Sequence, residues 1–263
     1  MRITIDSDKR KFFEKKVWRS TRKAFVKCRQ ALVDHSGDTD PERLKLFSSY
    51  FLDIKPMTEH INQVWGDIGG RYGYDTEKKL KSLKSKTPEM ELKADAKKLT
   101  EWKEKMKKYS AERSLAKVKA IMTTEQEAIN RVIDSVIQES LDQGLGIIET
   151  RRLLTHDLSG EKMLEMENWQ AQRIAMTEVG SAQNTGSFEA AQENSEGVKK
   201  VWLFIPGKKT FREEHAAFGA EDDSTGGRGM DEEYAPGLQY PGDPNGTAEE
   251  IINCYCTIGY EVE

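Results

Sequence analysis

The stretch YPGDPNGTAEEIINCYC places Cys254 and Cys256 one residue apart, directly after a loop punctuated by Pro and Gly. Upstream, His215 lies in FREEH together with Arg212. One histidine and two cysteines form a donor set that zinc prefers. A fourth ligand would come from Asp222 or Asp223 in the acidic stretch that follows, or from water. Structural zinc pairs usually have two or more residues between their cysteines, so packing and redox chemistry stand beside metal binding as readings. In the packing reading both cysteines lie on one face of a strand running from about Ile251 to Tyr260, with His215 neutral and hydrogen-bonded. A disulfide across a single residue is strained, which counts against a redox pair.

A second group is Arg173 and Glu178 in RIAMTE. Their spacing is too far round a helix for a direct pair, so the expectation is that each bonds elsewhere in the small domain, Glu178 with Arg212; the alternative is that both are simply exposed. Cys28 reads as a core residue of a helix. No Gly-rich phosphate loop, H-E-x-x-H or G-x-S-x-G element is present, which argues against an enzyme. A zinc-dependent nuclease or hydrolase built on His215, Cys254 and Cys256 would need a general base, for which Glu213 and Glu214 are the nearest acids in sequence.

The elements that must position these residues follow from periodicity. KFFEKKVWRSTRKAFVKCRQALV predicts a basic amphipathic helix from about Arg10 to Val33. A loop, DHSGDTD, then leads to a helix opened by Pro41. Between Thr76 and Lys119, Lys and Glu dominate, and Leu99, Trp102, Met106, Tyr109 and Arg113 keep a helical rhythm, interrupted at Pro88. Thr124 with Glu127 forms a capping-box pattern opening a new helix. Its apolar stripe is Ile129, Val132, Ile133, Val136, Ile137 and Leu141, and Gly144 and Gly146 stop it. With IIETRRLL it makes a helical hairpin. A helix rich in Ala, Ser and Gly follows, then a strand over Val198–Ile205, then a Gly- and acid-rich loop over 219–235, and a second strand from about Ile251. The expected class is α+β: a mainly helical N-terminal region followed by a small α+β C-terminal domain. The expected boundaries are 1–122, a hairpin at 123–160, and 161–263.

Charge is divided unevenly. Residues 1–122 hold 30 Lys and Arg against 18 Asp and Glu, a net of +12, while 123–263 hold 11 against 27, a net of −16. A one-signed excess of that size suits an anionic partner. No run of apolar residues is long enough to span a bilayer, and few cysteines fit a reducing cytosol.

Taken in order, RIAMTEVGSAQNTG, KKVWLF, REEHAAFG, YPGDPNG and INCYC resemble the C-terminal domain of the phage head morphogenesis (minor capsid) family, the Mu F-like proteins. The resemblance covers about residues 165–260. It marks Arg173, Glu178, Arg212 and Asn253 as structural-motif residues beside His215, Cys254 and Cys256. The sequence departs from the family at Tyr255, where Arg is usual, and at Lys208 and Lys209, where an Asp is usual before Arg212. The resemblance implies a minor head protein of a tailed phage, located at the portal vertex of the virion after assembly in the host cytoplasm. Its partners would be the portal protein and other head components, with packaged DNA against the basic N-terminal half and no membrane. It implies no catalytic residue and no cofactor, apart from zinc if the cysteine pair holds a metal. A free-standing, non-specific DNA-binding protein is the alternative that the basic half suggests.

Overall fold

The structure, a computed structural model, describes residues 2–4, 7–85, 95–206 and 212–262. The expected break at Pro88 and the departure at Lys208 and Lys209 lie outside the described residues. The fold is α+β: among the described residues 73% are helical, with one small antiparallel sheet. In chain order the elements are β1 (Arg2–Ile3), α1 (Ser7–Cys28), α2 (Gln30–Ser36), α3 (Pro41–Phe47), α4 (Lys55–Val64), α5 (Gly70–Ser85), α6 (Ala96–Gln143), α7 (Ile147–Ser159), α8 (Glu161–Gln192), β2 (Val198–Leu203), α9 (Glu213–Thr225), α10 (Ala248–Ile251) and β3 (Thr257–Val262). A 3₁₀ turn (Ser48–Phe51) and a π turn (Trp65–Gly69) are also present.

Two compact units are present, and each is built from separate stretches of chain: 1–17, 62–110 and 173–263 in unit 1, and 18–61 with 111–172 in unit 2. They interleave instead of following one another along the sequence, and the expected boundary at 122 falls inside α6. Helix α6 runs unbroken for 48 residues, so Thr124 opens no new helix. The Thr123 and Thr124 hydroxyls donate to the carbonyls of Lys119 and Ala120 one turn back, which leaves the backbone ladder intact.

Unit 2 contains the expected hairpin. Ile129, Val132, Ile133 and Val136 of α6 pack with Leu154 and Leu158 of α7, and with Leu32 and Leu44 of α2 and α3. Leu141, at the end of the stripe, is exposed. Gly144 ends α6 with a φ of 65°, a left-handed conformation that glycine adopts without strain. The predicted single helix over Arg10–Val33 divides at Arg29, whose φ and ψ of −98° and 4° leave the helical region. Arg29 Nε instead donates to Leu158 O at 3.0 Å. Pro41 opens α3 as expected, with Asp40 Oδ1 accepting from the Glu42 and Arg43 amides. Cys28 is fully buried, as a core residue should be.

Unit 1 contains the sheet. Its order is β1-β3-β2, all antiparallel, with Ile3 opposite Tyr260 and Trp202 opposite Ile258. The two-residue strand β1 was not legible in the sequence. The predicted second strand begins later than Ile251: α10 and a turn occupy 248–256, and β3 starts at Thr257. Likewise, 219–225 is not loop but the second half of α9, closed by Gly226 at a φ of 79°. Small residues in α8 do allow close approach. A Cβ at Gly186 would stand 2.0 Å from the Gly69 carbonyl oxygen of the π turn. Beyond α9, Lys200 is fully buried and donates to the Met230 carbonyl at 3.0 Å and to that of Glu232, which fixes the chain there.

Two consequences can be measured. Gly186→Ala should destabilise unit 1 by about 1–3 kcal/mol or more, because backbone must move to admit a methyl group; an unchanged denaturant midpoint would contradict this packing. In unit 2, Glu125 is fully buried with neither carboxylate oxygen hydrogen-bonded, and Arg29 Nη1 stands 3.6 Å away. Burial outweighs that distant charge and pushes the carboxyl up to about 7. The folded state therefore keeps a proton that the unfolded chain gives up near its ordinary value. The associated stability is complete below about pH 4.5 and is lost as pH rises to about 7, on the order of 3 kcal/mol. Glu125→Gln should flatten this part of the stability profile and raise stability at pH 8; parallel wild-type and variant profiles would refute it.

Candidate metal centre

The three donors meet. His215 is buried in the first turn of α9, while Cys254 and Cys256 are buried in the turn between α10 and β3. His215 Nδ1 lies 3.6 Å from Cys254 Sγ and 3.7 Å from Cys256 Sγ, and the three ligand atoms lie within 4.8 Å of one another. Zinc bonded to sulfur at about 2.3 Å and to nitrogen at about 2.0–2.1 Å, with tetrahedral angles, holds its sulfur and nitrogen ligands roughly 3.6 Å apart. The donor spacing fits that arrangement.

The other ring nitrogen also has a partner. His215 Nε2 is hydrogen-bonded to Glu250 Oε2, which fixes the ring with Nδ1 toward the sulfurs. A ligand histidine backed by a carboxylate is the usual outer support of a zinc site. Glu250 was not singled out in the sequence, and it replaces the acids that were. Asp222, fully buried, accepts from the Trp202 amide at 2.6 Å and from the Tyr234 hydroxyl at 2.5 Å. Asp223 pairs with Arg2 at 2.9 Å. Neither is placed as a fourth ligand. Glu213 and Glu214 are exposed, and the carboxylate on His215 is Glu250 instead.

The thiols share a proton unequally. The Cys254 thiol donates to Cys256 and holds it well below the ordinary thiol range; the His215 ring and the Ile205 amide add to this, against the effect of burial. Cys254 is raised correspondingly, by that same hydrogen bond and then by burial. Burial lowers His215, but its hydrogen bonds to Cys256 and Glu250 outweigh it, so the imidazole is raised. These interactions favour the thiolate form at Cys256 over Cys254. A metal would complete the process by displacing the Cys254 proton and freeing Nδ1.

The remaining motif residues build the frame around these donors. Asn253 adopts a φ of 58°, a left-handed conformation that Asn tolerates, and turns the chain into Cys254. Its amide donates to Thr177 Oγ1 at 3.2 Å. The expected Glu178–Arg212 pairing is replaced by two other bonds. Glu178 Oε2 accepts from Trp65 Nε1 at 2.8 Å, and Arg212 donates to the Ile252 carbonyl at 2.6 Å. Arg173, on α8, is half-buried and joins neither bond. Tyr255 lies beneath the Arg10 guanidinium, 5.9 Å from its ring centre. Trp202 stands edge-on to His215 at 4.8 Å and to Tyr234 at 4.9 Å, so aromatic rings cover the centre.

Two further residues escaped the sequence reading. Arg10 of α1 is buried and donates to the carbonyls of Cys254 and Tyr255, both at 2.9 Å. Asn184 of α8 donates to the carbonyls of Pro241 at 2.8 Å and Cys256 at 3.2 Å, and accepts from the Ile258 amide. No spacing rule signals either one, because each acts on backbone far away in sequence.

Purified chain should contain about one equivalent of zinc, and a chelator should lower its melting temperature. Cys254→Ser/Cys256→Ser should abolish both effects; full metal retention in that variant would place the metal elsewhere. Compared with known proteins, no family model matches the chain, and neither a curated protein nor a solved structure matches it.

Proposed function

We propose that the chain is a structural minor head protein of a tailed phage, associated with the portal vertex and acting in head morphogenesis or DNA delivery. The observation that supports this reading is that the five motifs carrying the family resemblance form one connected assembly. Asn184 of the first motif binds Pro241 of the fourth and Cys256 of the fifth. Thr177 binds Asn253, and Trp202 of the second packs on His215 of the third. His215 in turn faces both cysteines.

The same assembly favours a structural part for the metal. His215, Cys254 and Cys256 are 1%, 6% and 3% exposed. Donors enclosed this far tie α9 to the turn before β3 and give a substrate no approach, in contrast to catalytic zinc, which keeps an open position for water. The basic excess of residues 1–122 is the reason to place DNA among the partners, through non-specific phosphate contacts. Those residues divide between both units, so DNA binding belongs to the full chain and not to a fragment ending at 122.

Mass spectrometry of virions produced by the genome that encodes the chain should find it in a few copies per particle, and deletion should yield defective heads. Intact, infectious particles without the chain would overturn the proposal.

A further inference from the structure

A cavity of about 530 Å³ opens in unit 1, away from the cysteine centre, between β1, the start of α1, α5 and the first turn of α6. That volume lies within the range of small-ligand sites. Among the described residues its wall carries Lys9, Arg71, Lys78 and Lys79 against Asp75 and Asp95. Both carboxylates are already engaged. Asp75 takes Lys9 at 2.6 Å and Arg71 at 3.3 Å. Asp95 Oδ1 accepts from the Lys98 amide at 3.0 Å as the cap of α6, and the Asp95 amide donates to the Tyr74 hydroxyl at 2.8 Å. Lys78 and Lys79 are half-buried, and neither has an acid or carbonyl partner among the described residues. Ala96 also lines the wall, and its amide belongs to the first turn of α6, where N–H groups lack intrahelical acceptors.

Lys78 and Lys79 thus bring two positive charges to the wall of one recess with no anion to balance them among the described residues. A carboxylate would neutralise half of their charge, whereas a phosphate carries enough charge and enough acceptor oxygens for both. We propose that this cavity binds a phosphate group, with Lys78 and Lys79 as its principal ligands. The group arrives either on the DNA backbone or on a free polyphosphate. The DNA form rests on the reading of the basic residues given above; the free form does not.

The test uses the full chain and two probes: inorganic tripolyphosphate by calorimetry, and a duplex of arbitrary sequence by fluorescence anisotropy over a range of salt. Lys78→Ala/Lys79→Ala should weaken tripolyphosphate at least tenfold and reduce the slope of log K against log[salt] for DNA by about 2. A control with equal charge loss outside the cavity, Lys15→Ala/Lys108→Ala, should leave tripolyphosphate binding unchanged. Tripolyphosphate binding that depends on Lys78 and Lys79, with no DNA binding, supports the site, assigns it to a free ligand and removes DNA from the proposed function. DNA binding with an unaltered slope in the Lys78/Lys79 variant, and no tripolyphosphate binding, overturns the site and leaves the DNA reading standing. If neither probe binds wild-type chain, both fall.

Discussion

The arrangement of unit 1 depends on one buried guanidinium. Arg10 reaches from the first helix to the carbonyls of Cys254 and Tyr255, and its Nε is paired with Glu14 at 2.9 Å. Turns that present side chains on one side leave backbone carbonyls on the other, and buried carbonyls must find donors. Arg10 supplies several from one planar group, at a position where Lys would offer a single point charge. With the carbonyls held, both sulfurs are free to face His215. Glu14, by neutralising the guanidinium, makes its burial tolerable.

A second constraint is the approach of α8 to the π turn. Gly69 and Gly186 bring backbone against backbone, and α8 then serves as the platform for the C-terminal turns through Thr177 and Asn184. The pairing explains why α8 is rich in small residues where it borders the site. Two of its buried polar side chains, Asn184 and Glu178, meet defined partners: backbone carbonyls for the first and the Trp65 indole for the second. Buried amides and carboxylates of this kind fix register as well as contributing stability.

The fold class was legible because it rests on periodicity. The apolar stripe from Ile129 to Val136 and the β-branched run at Val198 declare their elements locally. What sequence concealed was context. Thr124 followed by Glu127 has the pattern of a helix start, yet the threonine hydroxyl is satisfied inside a continuing helix. The apolar residues from Ile251 suggest a strand, yet the left-handed Asn253 breaks it before Cys254. At the site, donor types identified His215 and the cysteines, since few side chains serve a metal. Glu250, Arg10 and Asn184 were hidden for the opposite reason: acids, cations and amides are common, and their partners lie far off along the chain. The interleaving of the units was hidden in the same way, because chain order does not say which helices share a core.

That interleaving has a consequence for how the protein is made. Both stretches of unit 2 have been synthesised once residue 172 emerges. Unit 1 has to wait, because Arg10 bonds to residues 244 and 245 positions further on, and Ile3 pairs with Tyr260. Contacts across that much chain carry a large loop-closure cost before they return any stabilisation. During translation the first helix therefore leaves the ribosome with its guanidinium unmatched and Ile3 without its neighbouring strand. The cell must keep that nascent segment from other partners until the last strand of the sheet arrives.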